Sequence, residues 1–373
     1  PPDVRRDVVP EEATPEPSHP EEVREVERKF RVHGLFRLPD LDEVPGVAQV
    51  VPQSTRELTA VYHDTEDLKL FRWGVTLRRR EGGDDAGWHM KLPVDGEQEG
   101  VRDELRMPLA DGAVGHVPAA LQDVVTAYVR ESQLVPVVEL RTERTPYLLY
   151  DEAGVAIAEL VDDRVSILDG DRVVSMFREL EVEGLAEDAD LAPIVQVLVD
   201  RGAEPNDLSK AASALGPAAV VPPDIPKQES VGPADAAGDA VTAYLRKHAR
   251  AFLTQDVRVR RDLPDAVHQM RVAARRLRSG LKTFAPLVEE EWAQQLRDEL
   301  KWAAGELGHA RDTEVLLERL DHHADDLSER EAMLIRAVMD PMLRDRLADA
   351  REHALAAMRS ERHVALLEML VDA

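Results

Sequence analysis

Glu25-Val26-Glu27-Arg28-Lys29 opens the first strand-like run of the chain, Val23 to Val32. Side chains on a strand alternate between its faces with period two. Glu25, Glu27 and Lys29 therefore point one way, and Val26, Arg28 and Phe30 the other. A half-buried strand ordinarily presents one apolar face; here one face is two carboxylates and an ammonium. Carboxylates this close repel unless a cation stands between them, and a divalent metal is an economical choice because hard cations take oxygen ligands. The plainer reading is a solvated edge strand with a local charge pair. The pentapeptide alone leaves both open.

The 373 residues are enough for two or three domains. The absence of cysteine excludes disulfides and thiolate metal sites and fits a reducing, cytoplasmic setting. No apolar run approaches the roughly 20 residues that cross a bilayer, and no signal peptide is visible. A formal charge of −26 argues against nucleic acid as a partner. That charge is uneven: residues 1–231 carry 25 Lys and Arg against 47 acids, residues 232–373 carry 22 against 26. Arg258 to Lys282 concentrates eight basic residues with only Asp262 and Asp265 among them, a segment suited to an anion.

Residues 1–21, rich in Pro and Glu, read as a disordered leader. From 22 to 215 the pattern is strand-rich, with strands predicted at 23–32, 55–63, 74–81, 86–93, 100–109, 134–150, 153–162 and 172–184. Turn signals such as Gly82-Gly83, Asp95-Gly96 and Asp169-Gly170 separate them. Short helices are predicted at 40–44, 66–72 and 118–130, and further ones at 188–201 and 207–215. Residues 216–233, with five prolines, read as a linker. Residues 234–373 lose all strand signals; helical periodicity over 235–256, 265–284, 289–308, 312–324 and 328–358 predicts a bundle. The fold class is α+β: an eight-stranded antiparallel barrel flanked by short helices, then an all-α module.

The oddity of the opening strand recurs. Arg78 and Arg80 alternate, as do His89 and Lys91, and Arg102, Glu104 and Arg106; Arg144 follows. Glu159 and Asp163 share a face, as do Glu179, Glu181 and Glu183. The alternate positions carry Val26, Leu77, Leu92, Leu105, Leu180 and Val182. In one arrangement the charged face is outside, as in an ordinary sandwich. In the other the charges line a wide lumen and helices cover the apolar exterior. Charge sorting favours the second: acids concentrate on the first and last strands, which neighbour each other in a closed barrel, and bases on the middle strands.

These residues resemble the CYTH superfamily, the triphosphate tunnel metalloenzymes. Glu25-x-Glu27-x-Lys29 resembles its ExExK signature. Tyr62-His63-Asp64-Thr65, Leu77-Arg78-Arg79-Arg80, Lys91-Leu92-Pro93, Arg141 to Arg144, Glu159 to Asp163, Glu179 to Glu183 and Ser209-Lys210 resemble its further elements in order. The resemblance implies a tunnel that binds a triphosphate lengthwise with a divalent metal, Mg²⁺ or Mn²⁺. It implies metal ligands among Glu25, Glu27, Asp163, Glu179, Glu181 and Glu183. Arg78, Arg80, Lys91, Arg102, Arg144 and Lys210 would bind substrate, and Glu27 and Lys29 would act in catalysis.

Downstream, His268, Arg271, Arg275 and Arg278 fall on one helical face, and Arg276 and Lys282 broaden it. A charge run is ordinarily a solvated face, but interleaved acids are absent across 266–288. Val267 to Arg278 and Leu307 to Leu316 resemble motifs of CHAD domains, helical modules whose family role is binding inorganic polyphosphate. Arg311 would join the six basic residues, and polyphosphate granules are an implied location. CHAD domains have two related halves; this chain is expected to hold one, with apolar surface left uncovered. The first expectation is a metal-dependent triphosphatase acting on tripolyphosphate or a related triphosphate. An adenylate cyclase using the same tunnel and a non-catalytic polyphosphate scaffold are the alternatives.

Overall fold

A computed structural model describes residues 19–42, 44–94, 101–185, 190–227, 231–232 and 234–372. The expected leader, up to residue 18, and the Asp95-Gly96 turn lie outside the described residues. The strands are β1 (Glu21–Val32), β2 (Gln49–Pro52), β3 (Arg56–Asp64), β4 (Thr76–Glu81), β5 (Gly87–Pro93), β6 (Val101–Met107), β7 (Val135–Tyr150), β8 (Ala156–Asp169), β9 (Arg172–Gly184) and β10 (Glu204–Pro205). All pair antiparallel. The order β1-β6-β5-β4-β3-β7-β8-β9 returns to β1, closing an eight-stranded barrel.

Closure depends on the opening strand. β1 pairs β6 through Glu21–Val26 and β9 through Glu27–Val32, bringing Glu27 opposite Glu183 and Lys29 opposite Glu181. The predicted strand 153–162 runs on to Asp169 because its alternation continues through Val165 and Ile167. β2 and β10 escaped the sequence reading: at four and two residues they are too short for a period-two signal. Residues 41, 42 and 44 form bends and a turn where a helix is predicted over 40–44.

Much of the barrel's outside is apolar and covered, although Val174 and Met176 of β9 stay exposed. Phe30, Leu149, Leu160, Leu180 and Val182 pack under Ile194 and Leu198 of α4 (Ala192–Asp200). Leu77, Trp88, Met90, Leu92 and Leu105 lie under α2 (Ala119–Val124) and α3 (Thr126–Val129). That same cluster continues into Phe252, Leu253 and Val257 of α6 (Ala237–Arg260). Charged pairs ring this contact: Arg260 to Asp123 at 2.6 Å, Arg261 to Asp103 at 2.6 Å, and Arg130 to Glu368 at 3.0 Å. The Pro-rich stretch is packed here too: Ile225 is buried, and Trp73 Nε1 donates to Asp224 at 3.0 Å. The remaining helices are α1 (Lys69–Arg72), α5 (Lys210–Leu215), α7 (Ala266–Thr283), α8 (Glu290–Glu306), α9 (Gly308–Ala324), α10 (Glu329–Met358) and α11 (Glu361–Val371). α11 lay beyond the predicted helices. Gly280 lets α6 and α7 approach closely, since a Cβ there would stand 2.7 Å from the Tyr244 ring.

At the end of β3, Tyr62-His63-Asp64-Thr65 builds a turn. Asp64 accepts from the backbone N–H groups of Thr65, Leu70 and Phe71 at 2.6, 2.8 and 2.9 Å, fixing α1. Buried His63 places Nδ1 3.2 Å from the Val61 carbonyl, and its Nε2 receives the Gly115 N–H at 3.0 Å. A neutral imidazole satisfies both contacts, with Nδ1 as the donor. Burial pulls its pKa down to about 4. The unfolded chain binds this proton near pH 6.5, so the stabilisation is complete above that value and is lost as pH falls toward 4. The urea midpoint is expected to fall across that window, and less steeply in His63→Gln. An unchanged slope in the variant would remove His63 from the account.

Candidate active site

The same alternation that turns Leu180 and Val182 outward turns Glu179 and Glu181 into the lumen. Glu27 of β1, Asp163 of β8, and Glu179 and Glu181 of β9 form an acid patch in which Asp163 and Glu179 are 0% exposed. Cations are threaded through it. Lys29 Nζ lies 2.9 Å from Glu27 and 3.6 Å from Glu181. Lys210 Nζ reaches Asp163 at 3.0 Å, Glu179 at 2.7 Å and Glu181 at 2.8 Å. Arg144 donates to Asp163 at 2.6 Å and to Glu181 at 3.0 Å.

Lys210 arrives from outside the sheet. It starts α5, whose N-cap Ser209 accepts from the Ala212 N–H at 3.1 Å. Ala211 and Ala212 pack with Ala60, Tyr62, Leu140 and Val165, so α5 fills one end of the barrel. The lumen is thus apolar where α5 enters and charged beyond it.

Burial would raise the Glu181 carboxyl, but Lys210, Lys29 and Arg144 outweigh it and hold it well below the carboxylate range. Burial likewise opposes Lys29 and Lys91 at Glu27, where the lysines prevail and the pKa is lowered. At Glu179 burial wins and the pKa is raised. Apart from its ion pair with Lys210, neither Glu179 oxygen meets a hydrogen-bond donor. These oxygens suit a hard divalent cation. Among the described residues, however, no three acidic or histidine groups converge on one point; ammonium groups stand between them. The Glu25 side chain lies outside the described residues, and Glu183 sits in register between Glu27 and Glu159.

The basic wall is carried by β4, β5 and β6. Arg78 lies opposite Tyr62 of β3, and the Nε atoms of Arg78 and Arg80 are buried without a hydrogen-bond partner. Burial, with Arg78 and Arg144 beside it, pulls the Arg80 guanidinium down to about 9. Arg80 also ion-pairs with Asp85. Lys91 Nζ is 3.7 Å from Glu27, linking the two walls. Arg102 donates to the Gly74 carbonyl at 2.7 Å. Glu104 was left out of the expected site although it alternates with Arg102 and Arg106. It is 1% exposed, lies 3.1 Å from His89 Nδ1 and pairs with Arg106. Burial opposes the hydrogen bond from His89 and the charges of Lys91 and Arg78, which together depress its pKa. Its parity was the signal that could have found it.

On α7 the buried side is Ala266, Val267, Met270, Ala273, Ala274, Leu277 and Leu281. Arg275, Arg276 and Lys282 are exposed, and His268, Arg271 and Arg278 half-buried beside them. Arg271 Nη1 donates to the Ala304 carbonyl, tying α7 to α8. Arg311 pairs with Glu314 and Glu318 of its own helix at 3.3 and 3.2 Å. No helix among the described residues is long and apolar enough to cross a membrane.

Comparison with known proteins agrees with both halves. A CYTH domain model matches residues 23–212 and a CHAD domain model residues 243–373. Two uncharacterised Mycobacterium tuberculosis proteins, from strains CDC 1551 / Oshkosh and ATCC 25618 / H37Rv, are each 36% identical over 375 residues, covering 93% of this chain and 69% of their own length. Similar solved structures include a Bacillus halodurans protein provisionally named an adenylate cyclase (17% identity, 52% of this chain, 97% of that one, TM-score 0.34). PptA from Streptomyces chartreusis is another (32%, 36%, 47%, 0.31). A third is a Hippeastrum protein provisionally named an adenylyl cyclase and described as having a dominant triphosphatase activity (17%, 50%, 93%, 0.29). CYTH proteins typically use divalent metals. The chain belongs to the CYTH family, with a CHAD domain joined to its CYTH domain.

Proposed function

We propose that the protein is a metal-dependent triphosphatase that hydrolyses inorganic tripolyphosphate, or a closely related triphosphate, inside the barrel. The observation that carries this reading is the facing of two walls: buried, unpartnered Arg78 and Arg80 Nε–H donors against a buried carboxylate patch. Unpaired buried donors of this kind suit an anion rich in oxygen acceptors. Arg78, Arg80, Lys91 and Arg144 would take phosphate oxygens, with Arg102 nearer the Gly74 loop. Glu27 and Glu181 would be the principal metal ligands, with Glu25, Asp163, Glu179 and Glu183 around them. A bound Mg²⁺ or Mn²⁺ supplies charge neutralisation at the phosphates and a more acidic attacking water. Lys29, between Glu27 and Glu181, would place its ammonium where the acidic and basic walls meet, and Lys210 would balance the acids from behind. Water attacks a terminal phosphorus, the bridging P–O bond breaks, and orthophosphate and pyrophosphate leave with a proton released from the water.

The test is phosphate release from tripolyphosphate, ATP, thiamine triphosphate and long polyphosphate with each metal, alongside a cyclic AMP assay. Turnover of tripolyphosphate that EDTA abolishes supports the proposal; cyclic AMP from ATP, or no turnover with any metal, rejects it.

The exposed bases of α7 would bind inorganic polyphosphate, which fits a cytoplasmic protein associated with polyphosphate granules. The Arg275→Ala/Arg276→Ala/Lys282→Ala variant is expected to weaken long-chain binding roughly tenfold or more and to flatten its salt dependence. Tripolyphosphate hydrolysis should be unaffected. Unchanged binding isotherms at several salt concentrations would sink this assignment.

A further inference from the structure

The outer side of α10 exposes Met333, Leu334, Val338 and Met342, which are 66, 57, 69 and 54% exposed. Ala337 and Pro341 are exposed between them. Scattered surface hydrophobics are ordinary, but these follow one another over two to three helical turns. At roughly 100° per residue, Arg330, Leu334, Ala337, Val338, Pro341, Asp345 and Ala348 fall on one face, and all are exposed. Pro341 leaves that face without one backbone donor inside the helix.

This face is complementary to itself. Set two copies antiparallel about a two-fold axis between Ala337 and Val338. Leu334 of each copy then meets Pro341 of the other, Ala337 meets Val338, and Arg330 meets Asp345. The exchange occurs twice, once at each end, as an isologous contact requires. Parallel pairing sets Arg330 against Arg330 and Asp345 against Asp345 and gains neither ion pair. From this geometry we propose that α10 is a homodimer interface, its occupant a second copy of this chain packed antiparallel. A single helix pair is smaller than the ~1,600 Å² of a standard interface, so association is concentration-dependent. The terminal ion pairs are solvent-exposed, so salt weakens it.

Sedimentation velocity tests this on the 373-residue chain. The wild type is expected to pass from the 41.6 kDa monomer to twice that mass as concentration rises. Arg330→Asp alone and Asp345→Arg alone each set like charges against one another and should shift the midpoint at least tenfold toward monomer. The Arg330→Asp/Asp345→Arg variant restores opposite charges at both ends and should restore dimerisation. None of these residues is buried, so the fold is retained. A wild type monomeric at every concentration would mean that the face is bare or serves another partner, and overturns the proposal. So would a double variant no better than the single ones.

Discussion

Glu181→Gln is expected to lower tripolyphosphate hydrolysis by on the order of 10²-fold or more while the barrel stays folded. Preorganised electrostatic contacts at a reacting centre carry effects of that size. Glu181 holds the central place in the acid patch, 3.6 Å from Lys29, 2.8 Å from Lys210 and 3.0 Å from Arg144. Those three cations together overcome burial and keep it ionised. Replacing the carboxylate with an amide of the same shape removes one negative charge and one strong oxygen donor. The metal concentration needed for half-maximal activity should therefore rise along with the loss of rate. Phosphate release measured across a Mg²⁺ titration checks both. Wild-type turnover at every concentration would show that the acid patch does not serve the reaction.

Lys210→Met should produce the largest loss of stability, about 3–5 kcal/mol, the range for removing one partner of a buried ion pair. Lys210 faces Asp163, Glu179 and Glu181, and without it three buried carboxylates share less positive charge. Glu179, already raised by burial, rises further in the variant. A carboxyl whose pKa is raised on folding favours the protonated folded state. The deficit of Lys210→Met should accordingly shrink as pH falls, and adding Glu179→Gln should recover part of it at neutral pH. Urea unfolding at several pH values measures this. A loss below about 1 kcal/mol would mean that α5 merely fills the barrel's end.

The sequence reading reached this site because strand parity is unusually informative when the polar face is inside. Glu27, Lys29, Glu179 and Glu181 share one lumen because each alternates with an outward apolar residue, Val26, Phe30, Leu180 or Val182, whereas Asp163, between Asp162 and Arg164, joins them only through its parity with Glu159. What alternation does not convey is which charges neutralise one another. The resemblance implies a catalytic part for Lys29, but alternation alone does not show that its ammonium stands between Glu27 and Glu181. Lys210 is reached only through the tertiary docking of α5, for which a six-residue helix gives little local signal. Asp64 belongs to a recognisable segment, yet its oxygens cap α1. On α7, spacing placed the bases on one side but did not reveal that Arg271 reaches the Ala304 carbonyl. The burial of Ile225 and Asp224's bond with Trp73 were likewise hidden in a stretch whose prolines read as a linker.

The central claim is that the facing acidic and basic walls of the barrel hydrolyse a triphosphate. Its most direct measurement is the product balance from tripolyphosphate with Mg²⁺ or Mn²⁺, wild type beside Glu27→Ala. The expected result is equal release of orthophosphate and pyrophosphate by the wild type, reduced on the order of 10²-fold or more in Glu27→Ala. Turnover by Glu27→Ala equal to wild type, or none by the wild type with either metal, would contradict it.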